Sequence, residues 1–396
     1  MLPPKAHTER RASVVLIGSR GIPPRYGGAE TFAYELSTRL KEHFNVYVTC
    51  ESKRFGVDEY HGLKRLHIYA PQPRVTTIPV IYDIIATLYS MRKVRADVVF
   101  YVAPDGVYAA LIAKLMGSRV IINTDGLEWK RLFIRRKFVS PFQKPMYLLT
   151  ALLLLIAEFL ACKIPDVTIA DSLAIMYYLK RQWKPRKIVY VAYGIRSLPA
   201  LNQEVIAQVL QKYGLSPFGY YLTVGRFVAE NNFHAVIQAY KQVKAKSKLV
   251  FIGFSDPQNH YARYLIKLKN GDPRIMLLPP LYDLSKLAAL RSSCRAYIHP
   301  YTVGGTNPSL LEQLQYRRPI IAYDAPFHRE ILRHKGIYFR TVSELAEIIT
   351  KIESSEAEEV AWEVPPRYTW SWVSSRYEEL FVELLKKGRA KKRDVS

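Results

Sequence analysis

Residues 304–312 read Gly304-Gly305-Thr306-Asn307-Pro308-Ser309-Leu310-Leu311-Glu312, between an apolar run at 294–300 and a helix-like segment at 310–316. Glycines, Asn and Ser between a strand and a helix build a cradle for an anion. Backbone N–H groups at a helix start lack partners inside the helix, and the helix dipole adds partial positive charge there. Paired glycines let a diphosphate approach the main chain closely. Glu312, one turn into the helix, is placed to face the same ligand and to accept hydrogen bonds from sugar hydroxyls. The chemistry that suits this set is the binding of a nucleotide diphosphate. Gly225-Arg226 follows the strand-like run 220–224. An arginine there can hold a diphosphate through two parallel donors. The competing reading is a structural salt bridge to Glu230.

Asn123-Thr124-Asp125-Gly126-Leu127-Glu128-Trp129 follows another strand-like run. Asp125 and Glu128 are acids at a strand end, where a base or a hydroxyl ligand would sit. Trp129 can stack on a sugar face. Equally, Asp125 can cap a helix and Trp129 can be core, and both readings stay open. The loop at 18–30 lies between a strand and a helix but lacks GxGxxG, so it carries no dinucleotide fingerprint. Its Gly27 and Gly28 either bring a helix start close to a ligand or form a tight turn with none. The first reading is favoured, because open sheets bind ligands at the C-terminal ends of their strands. Nine histidines show no HxxxH pair and no acid cluster at metal spacing, so no metal is expected.

Parallel strands and helices must position these loops. Residues 13–18 (SVVLIG) form an apolar run ending in glycine, and 45–50, 96–102 and 119–123 read as further strands. Residues 29–40 and 107–115 have helical spacing. The rhythm resumes with strands at 220–224, 248–253, 275–278, 295–299 and 319–323, and with helices at 233–243, 261–268 and 284–292. The pattern is an α/β fold with two open sheets. A mixed Gly, Pro and polar stretch at 193–217 is the expected hinge, and 370–387 reads as a closing amphipathic helix. The expected division is 12–195, 196–368, a helix at 369–388 returning to the first domain, and a basic tail at 389–396.

A chain of 396 residues exceeds one ordinary core, and 49% hydrophobic with 23% charged residues describes a globular protein. Cys50, Cys162 and Cys294 form no framework, which points to a reducing, cytoplasmic compartment. Residues 1–11 lack an apolar core segment, so no signal peptide is expected. The net charge of +24 favours polyanions: nucleic acid, anionic lipid or phosphorylated substrates. Five basic residues lie in 130–137, four in 181–187 and six in 386–393. Each run can equally be a solvated face. Residues 146–162 carry one charge, Glu158, and would make a helix about 26 Å long. The first expectation is a helix packed inside the domain. A helix lying in a membrane surface comes second and a true span third. Basic residues at 131–144 favour contact with anionic lipid.

Several motifs agree in order with one family: Ser19-Arg20-Gly21-Ile22-Pro23 with Tyr26-Gly27-Gly28-Ala29-Glu30, Asp125-Gly126-Leu127-Glu128-Trp129, Ala170-Asp171-Ser172, Tyr193-Gly194-Ile195, Gly225-Arg226 and the cradle. On these residues the chain resembles retaining GT-B glycosyltransferases of the GT4 type, and looks closest to the rhamnosyltransferase-like subgroup. The resemblance covers about residues 13–385. It implies two Rossmann-like domains facing a cleft, with the nucleotide sugar on the second and the acceptor on the first. It implies catalytic roles for Asp125 and Arg226. The donor would be bound by Gly28, Gly225, Arg226, Gly304, Gly305, Thr306, Asn307 and Glu312. The acceptor would meet Tyr26, Gly27, Glu128 and Trp129.

Three departures stand out. The broad family has two glutamates eight positions apart, and here Gly304 stands where the first would be. A lysine common after the arginine is missing, with Asn231 and Asn232 in its region, so Arg20 or Arg25 would have to replace its charge. Asp125 stands where a histidine is often found. The resemblance implies transfer of a hexosyl or deoxyhexosyl group from a nucleotide diphosphate sugar to a hydroxyl of a lipid-linked or polysaccharide acceptor, with retention and without a metal or other cofactor. An anionic membrane surface is a further expected partner, at the inner face of a membrane, and nucleic acid is not. The alternatives are a nucleotide-sugar epimerase of the same fold, and a basic nucleic-acid-binding or lipid-binding protein.

Overall fold

The computed structural model describes residues 11–24, 27–70, 79–197 and 199–393. In the first domain the strands are β1 (Ser13–Ile17), β2 (Asn45–Ser52), β3 (Gly56–Tyr60), β4 (Leu63–Tyr69), β5 (Val98–Tyr101), β6 (Arg119–Thr124), β7 (Val167–Ala170) and β8 (Ile188–Tyr190). They order as β3-β4-β2-β1-β5-β6-β7-β8, parallel except for β3, which pairs antiparallel with β4. β1 is buried along its whole length, as an apolar run between two helical layers requires. The helices are α1 (Gly28–Leu40), α2 (Pro79–Val94), α3 (Val107–Leu115), α4 (Glu128–Arg135), α5 (Lys144–Ala161) and α6 (Leu173–Trp183). Sequence periodicity misses the polar β3 and β4, and α2, whose apolar residues spread around the helix.

The second domain begins with α7 (Gln203–Tyr213), inside the segment expected as a hinge. Asn202 caps it and left-handed Gly214 ends it. Its strands are β9 (Tyr220–Val224), β10 (Lys248–Ile252), β11 (Ile275–Leu278), β12 (Ala296–His299), β13 (Ile320–Tyr323) and β14 (Ile337–Phe339). All are parallel, in the order β11-β10-β9-β12-β13-β14. Around them pack α8 (Phe233–Lys241), α9 (His260–Lys269), α10 (Leu284–Ser292), α11 (Pro308–Gln313), α12 (Pro326–Leu332) and α13 (Val342–Ser354).

The chain then crosses back beside its first crossing: Ile195 bridges Thr369, and its N–H bonds the Tyr368 carbonyl at 2.6 Å. The last helix, α14 (Trp370–Arg393), lies on α1. Phe32 of α1 meets Trp370, Tyr377, Phe100 and Tyr193 at ring distances of 5.2–5.9 Å. Burial of such large rings dominates core energetics and fixes this return. The helix extends to Arg393, so most of the expected tail at 389–396 is a continuation of α14, and 394–396 lie outside the described residues.

The expectation that 146–162 is a core helix is overturned. On α5 only Ala151, Ala157, Glu158 and Ala161 are buried, while Leu148, Leu149, Leu152, Leu153, Ile156 and Phe159 are exposed. The reason is layer geometry: α5 packs beside α4 and meets the sheet only through a narrow strip, Ala157 and Ala161 with half-buried Leu160, so the rest of its circumference is left uncovered.

Candidate active site between the two domains

Loops from both sheets open on one interdomain cavity of about 460 Å³. The first domain contributes the loops after β1, β5, β6, β7 and β8, and the second those after β9 and β12. In each sheet the strand order reverses between two of these strands, β1 and β5 in one and β9 and β12 in the other. Such switch points leave a crevice at the carboxyl ends, where open α/β sheets bind ligands. Gly27 and Gly28 line the cavity, and a Cβ on Gly28 would lie 3.8 Å from Pro308 Cγ. The start of α1 therefore faces the cradle across the gap. Tyr26 and Arg25 lie outside the described residues. Arg20 lines the cavity.

Gly304, Gly305, Thr306 and Asn307 all line the cavity. Asn307 Oδ1 accepts from the Ser309 N–H at 2.9 Å and so caps α11 rather than offering its side chain to a ligand. Thr306 differs from expectation. Its N–H donates to Asp171 Oδ2 at 3.0 Å, and its hydroxyl donates to the Asp171 carbonyl. A carboxylate at the end of β7 occupies the amide assigned to the donor. Gly305 permits this approach, since a Cβ there would stand 1.9 Å from Asp171 Oδ1. That same Oδ1 is buried with no hydrogen-bond partner among the described residues. Burial, followed by the nearby Asp125 charge, pushes the Asp171 carboxyl well above the usual range.

Arg226 is exposed in the cavity beside Gly225, and makes no ion pair among the described residues. The salt-bridge reading fails because Glu230 is taken by Arg135 of the first domain, whose Nε lies 2.9 and 3.1 Å from the two carboxylate oxygens. Burial opposes the charge on Glu230, yet the Arg135 hydrogen bonds hold its carboxyl below the usual value. Phe138, just beyond α4, packs against Tyr261, Tyr264 and His234 of the second domain at 5.0–5.4 Å. These contacts hold the two domains together around the cavity.

Glu312 does not line the cavity. Its carboxylate lies between Arg196 at 2.9 Å and the fully buried Arg291 at 3.2 Å. Arg291 also donates to Ser309 Oγ at 2.9 Å and to the Ser309 carbonyl at 3.1 Å. Glu312 thus neutralises the cation that pins the cradle from below. The expectation that it faces the ligand is corrected, because α11 turns this side chain toward α10.

Asp125 lines the cavity, and its Oδ2 accepts from the Tyr193 hydroxyl at 3.2 Å. Burial is the main cause that pushes its carboxyl up to about 7, with Glu128 adding to the rise and Arg131 opposing it. It is not a helix cap, since α4 is preceded by Leu127 with no side-chain cap. Glu128 also lines the cavity, ion-paired with Arg131. Trp129 does not line it. Its indole N–H donates to Glu158 Oε2 at 3.1 Å, on the side of α4 that faces α5, so stacking on a sugar is corrected too.

The raised Asp125 value has a testable sign. The folded state holds this proton more tightly than the unfolded chain, so the contribution to stability is complete below about pH 4 and lost as pH rises to about 7. Between pH 5 and 8 the wild type is expected to lose more melting temperature than Asp125→Asn. Parallel losses in the two proteins, followed by differential scanning calorimetry, would contradict the assignment.

Residues 210–363 match the family Glycosyl transferases group 1, and residues 11–196 match the Domain of unknown function (DUF1972). No curated protein sequence matches the chain. Among solved structures, sucrose-phosphate synthase from Thermosynechococcus elongatus superposes with a TM-score of 0.76 at 16% identity, over 95% of this chain and 100% of that one. Anabaena Alr3699/HepE in complex with UDP-glucose gives 0.70 at 15% identity, over 94% and 100%. The α,α-trehalose 6-phosphate synthase from Burkholderia multivorans gives 0.67 at 12% identity, over 97% and 100%. The chain has the GT-B fold, and its second domain is similar to the group 1 glycosyl transferases over residues 210–363.

Three residues of this GT-B cleft escape a sequence reading as site residues. Asp171 stands at a strand end in Ala170-Asp171-Ser172, the same signal that marks Asp125. Arg131 reads only as part of a basic run, although it lines the cavity. Tyr193 reads as the edge of the hinge. No group of three or more metal-ligating side chains occurs among the described residues.

Proposed function

We propose that the chain transfers a hexosyl or deoxyhexosyl group, rhamnosyl-like, from a nucleotide diphosphate sugar to a hydroxyl of a lipid-linked or polysaccharide acceptor, with retention at the anomeric carbon. One observation carries the reading: the Arg226 guanidinium, without an ion pair among the described residues, and the glycine cradle of the second domain face first-domain carboxylates across one cavity. The Anabaena neighbour that binds UDP-glucose has the same fold and supports the donor class.

Arg226 and the Gly304 and Gly305 amides would stabilise charge as it builds on the departing diphosphate. Asp171, now on the Thr306 amide, exchanges that partner for the donor or turns its free Oδ1 to a sugar hydroxyl. Gly304 leaves open space where a side chain would project, so carboxylate contacts to the sugar come from Asp125 and Asp171. Closure of the two domains over a bound donor would keep water from the reacting centre. No residue is needed as a covalent nucleophile: the leaving phosphate oxygen takes the acceptor proton on the same face of the sugar.

The test is a thermal-shift screen of nucleotide diphosphate sugars, since a ligand of the folded state raises apparent stability. Donors that bind are then incubated with lipid-linked and oligosaccharide acceptors, and the anomeric configuration of the product is read by NMR. Stabilisation by one nucleotide class and a product of retained configuration are expected. No shift with any nucleotide sugar would overturn the proposal.

A further inference from the structure

We propose that the outward face of α5 docks on an anionic lipid bilayer, with the helix lying along the surface. This rests on the exposed face and its charges, not on the transferase reading. Leu148, Leu149, Leu152, Leu153, Ile156 and Phe159 are all exposed, Leu149 at 60% and Leu152 at 52%. Their spacing places them on one stripe of the helix. Leu111 and Leu115 on the adjacent α3 extend the apolar surface. Contiguous apolar patches of this kind mark an interaction site.

The helix cannot leave the domain to span a bilayer without breaking its inner face. Ala151, Ala157 and Ala161 are packed inward, and the buried Glu158 carboxylate accepts from Trp129, Tyr178 and Trp183 at 2.7–3.1 Å. An amphipathic helix so anchored sinks only its outer face, roughly 5–10 Å, into the interface.

Charge selects the occupant. Within residues 129–165 Glu158 is the only acid, and it is buried. Arg131 and Arg135 are engaged at the cleft. Lys130, Arg136, Lys144 and Lys163 remain on or beside α4 and α5. Arg136 lies over Phe133 at 5.7 Å and Lys163 over Phe159 at 5.8 Å, cations folded back along apolar rings. A symmetric pairing of two copies would set these like charges against each other. An anionic headgroup layer neutralises them. The placement also has a use: α4 packs on α5 and carries Glu128 and Arg131 into the cavity, so a membrane-held acceptor would meet the cleft near the docked edge.

The experiment is co-sedimentation of the full chain, without nucleotide sugar, with mixed phosphatidylglycerol–phosphatidylcholine vesicles and with pure phosphatidylcholine vesicles. Binding to the mixed vesicles is expected, weaker in high salt and weaker on the neutral ones. Leu149→Glu/Leu152→Glu should reduce binding by about tenfold or more, since burial of two leucines is lost. Its melting temperature should stay unchanged, both positions being exposed. Arg136→Glu/Lys144→Glu should remove the preference for anionic vesicles while keeping the fold, so the proposal is tested even if the leucine variant misfolds. Absent binding by the wild type, equal binding to both vesicle types, or full binding by both variants would overturn the proposal. A dimer dissolved by the leucine variant, with no vesicle binding, would make the face a self-association surface instead.

Discussion

Glu312→Ala is expected to cost about 3–5 kcal/mol of folding stability, the usual penalty for leaving a buried charge unpaired. Arg291 has no exposed side-chain surface, and Glu312 is the only carboxylate paired with it among the described residues. Its other recorded partners are neutral: Ser309, Gln313 and the Tyr297 ring. Without Glu312 they cannot cancel its charge. Urea denaturation is the measurement, with Arg196→Ala as control. Arg196 is partly exposed, so its loss should cost far less. Glu312→Ala at wild-type stability would show that Arg291 is neutralised by another route. Sequence alone assigns Glu312 to the donor, a role in which its loss weakens binding and not folding. A carboxylate one turn into a cradle helix fits both roles, and only the position of α10 separates them.

Arg226→Ala is expected to lower kcat/KM by roughly 10²–10³-fold, the scale of losing one preorganised donor to a developing anion. Stability should not change, because the side chain is exposed and makes no ion pair among the described residues. Arg226→Lys should recover part of the rate, since an ammonium keeps the charge but loses the two parallel donors. Steady-state kinetics with the donor found by the stabilisation screen reads the effect. Wild-type turnover in Arg226→Ala would remove the guanidinium from the mechanism.

Much of the architecture is legible before any coordinates. Buried parallel strands announce themselves as apolar runs, and β1, β6, β7, β9, β10 and β12 fall where such runs occur. The loops after them carry Asp125, Gly225-Arg226 and Gly304–Thr306, and all line the cavity. The strands β3 and β4 do not show, because their residues are mostly polar and half-buried or exposed, and look like loop. Trp129 is ambiguous in sequence, and its hydrogen bond to Glu158 follows from how α4 lies on α5.

Local spacing and chemistry determined the two α/β sheets, the glycine cradle and the arginine beside it, since each depends on neighbours a few residues away. Which carboxylate reaches the Thr306 amide, which arginine Glu312 neutralises and which face of α5 stays uncovered were decided by tertiary structure alone. Asp171 and Thr306 are 135 residues apart and belong to different domains. Side-chain partners that distant depend on how whole layers stack, and no periodicity along the chain encodes that distance.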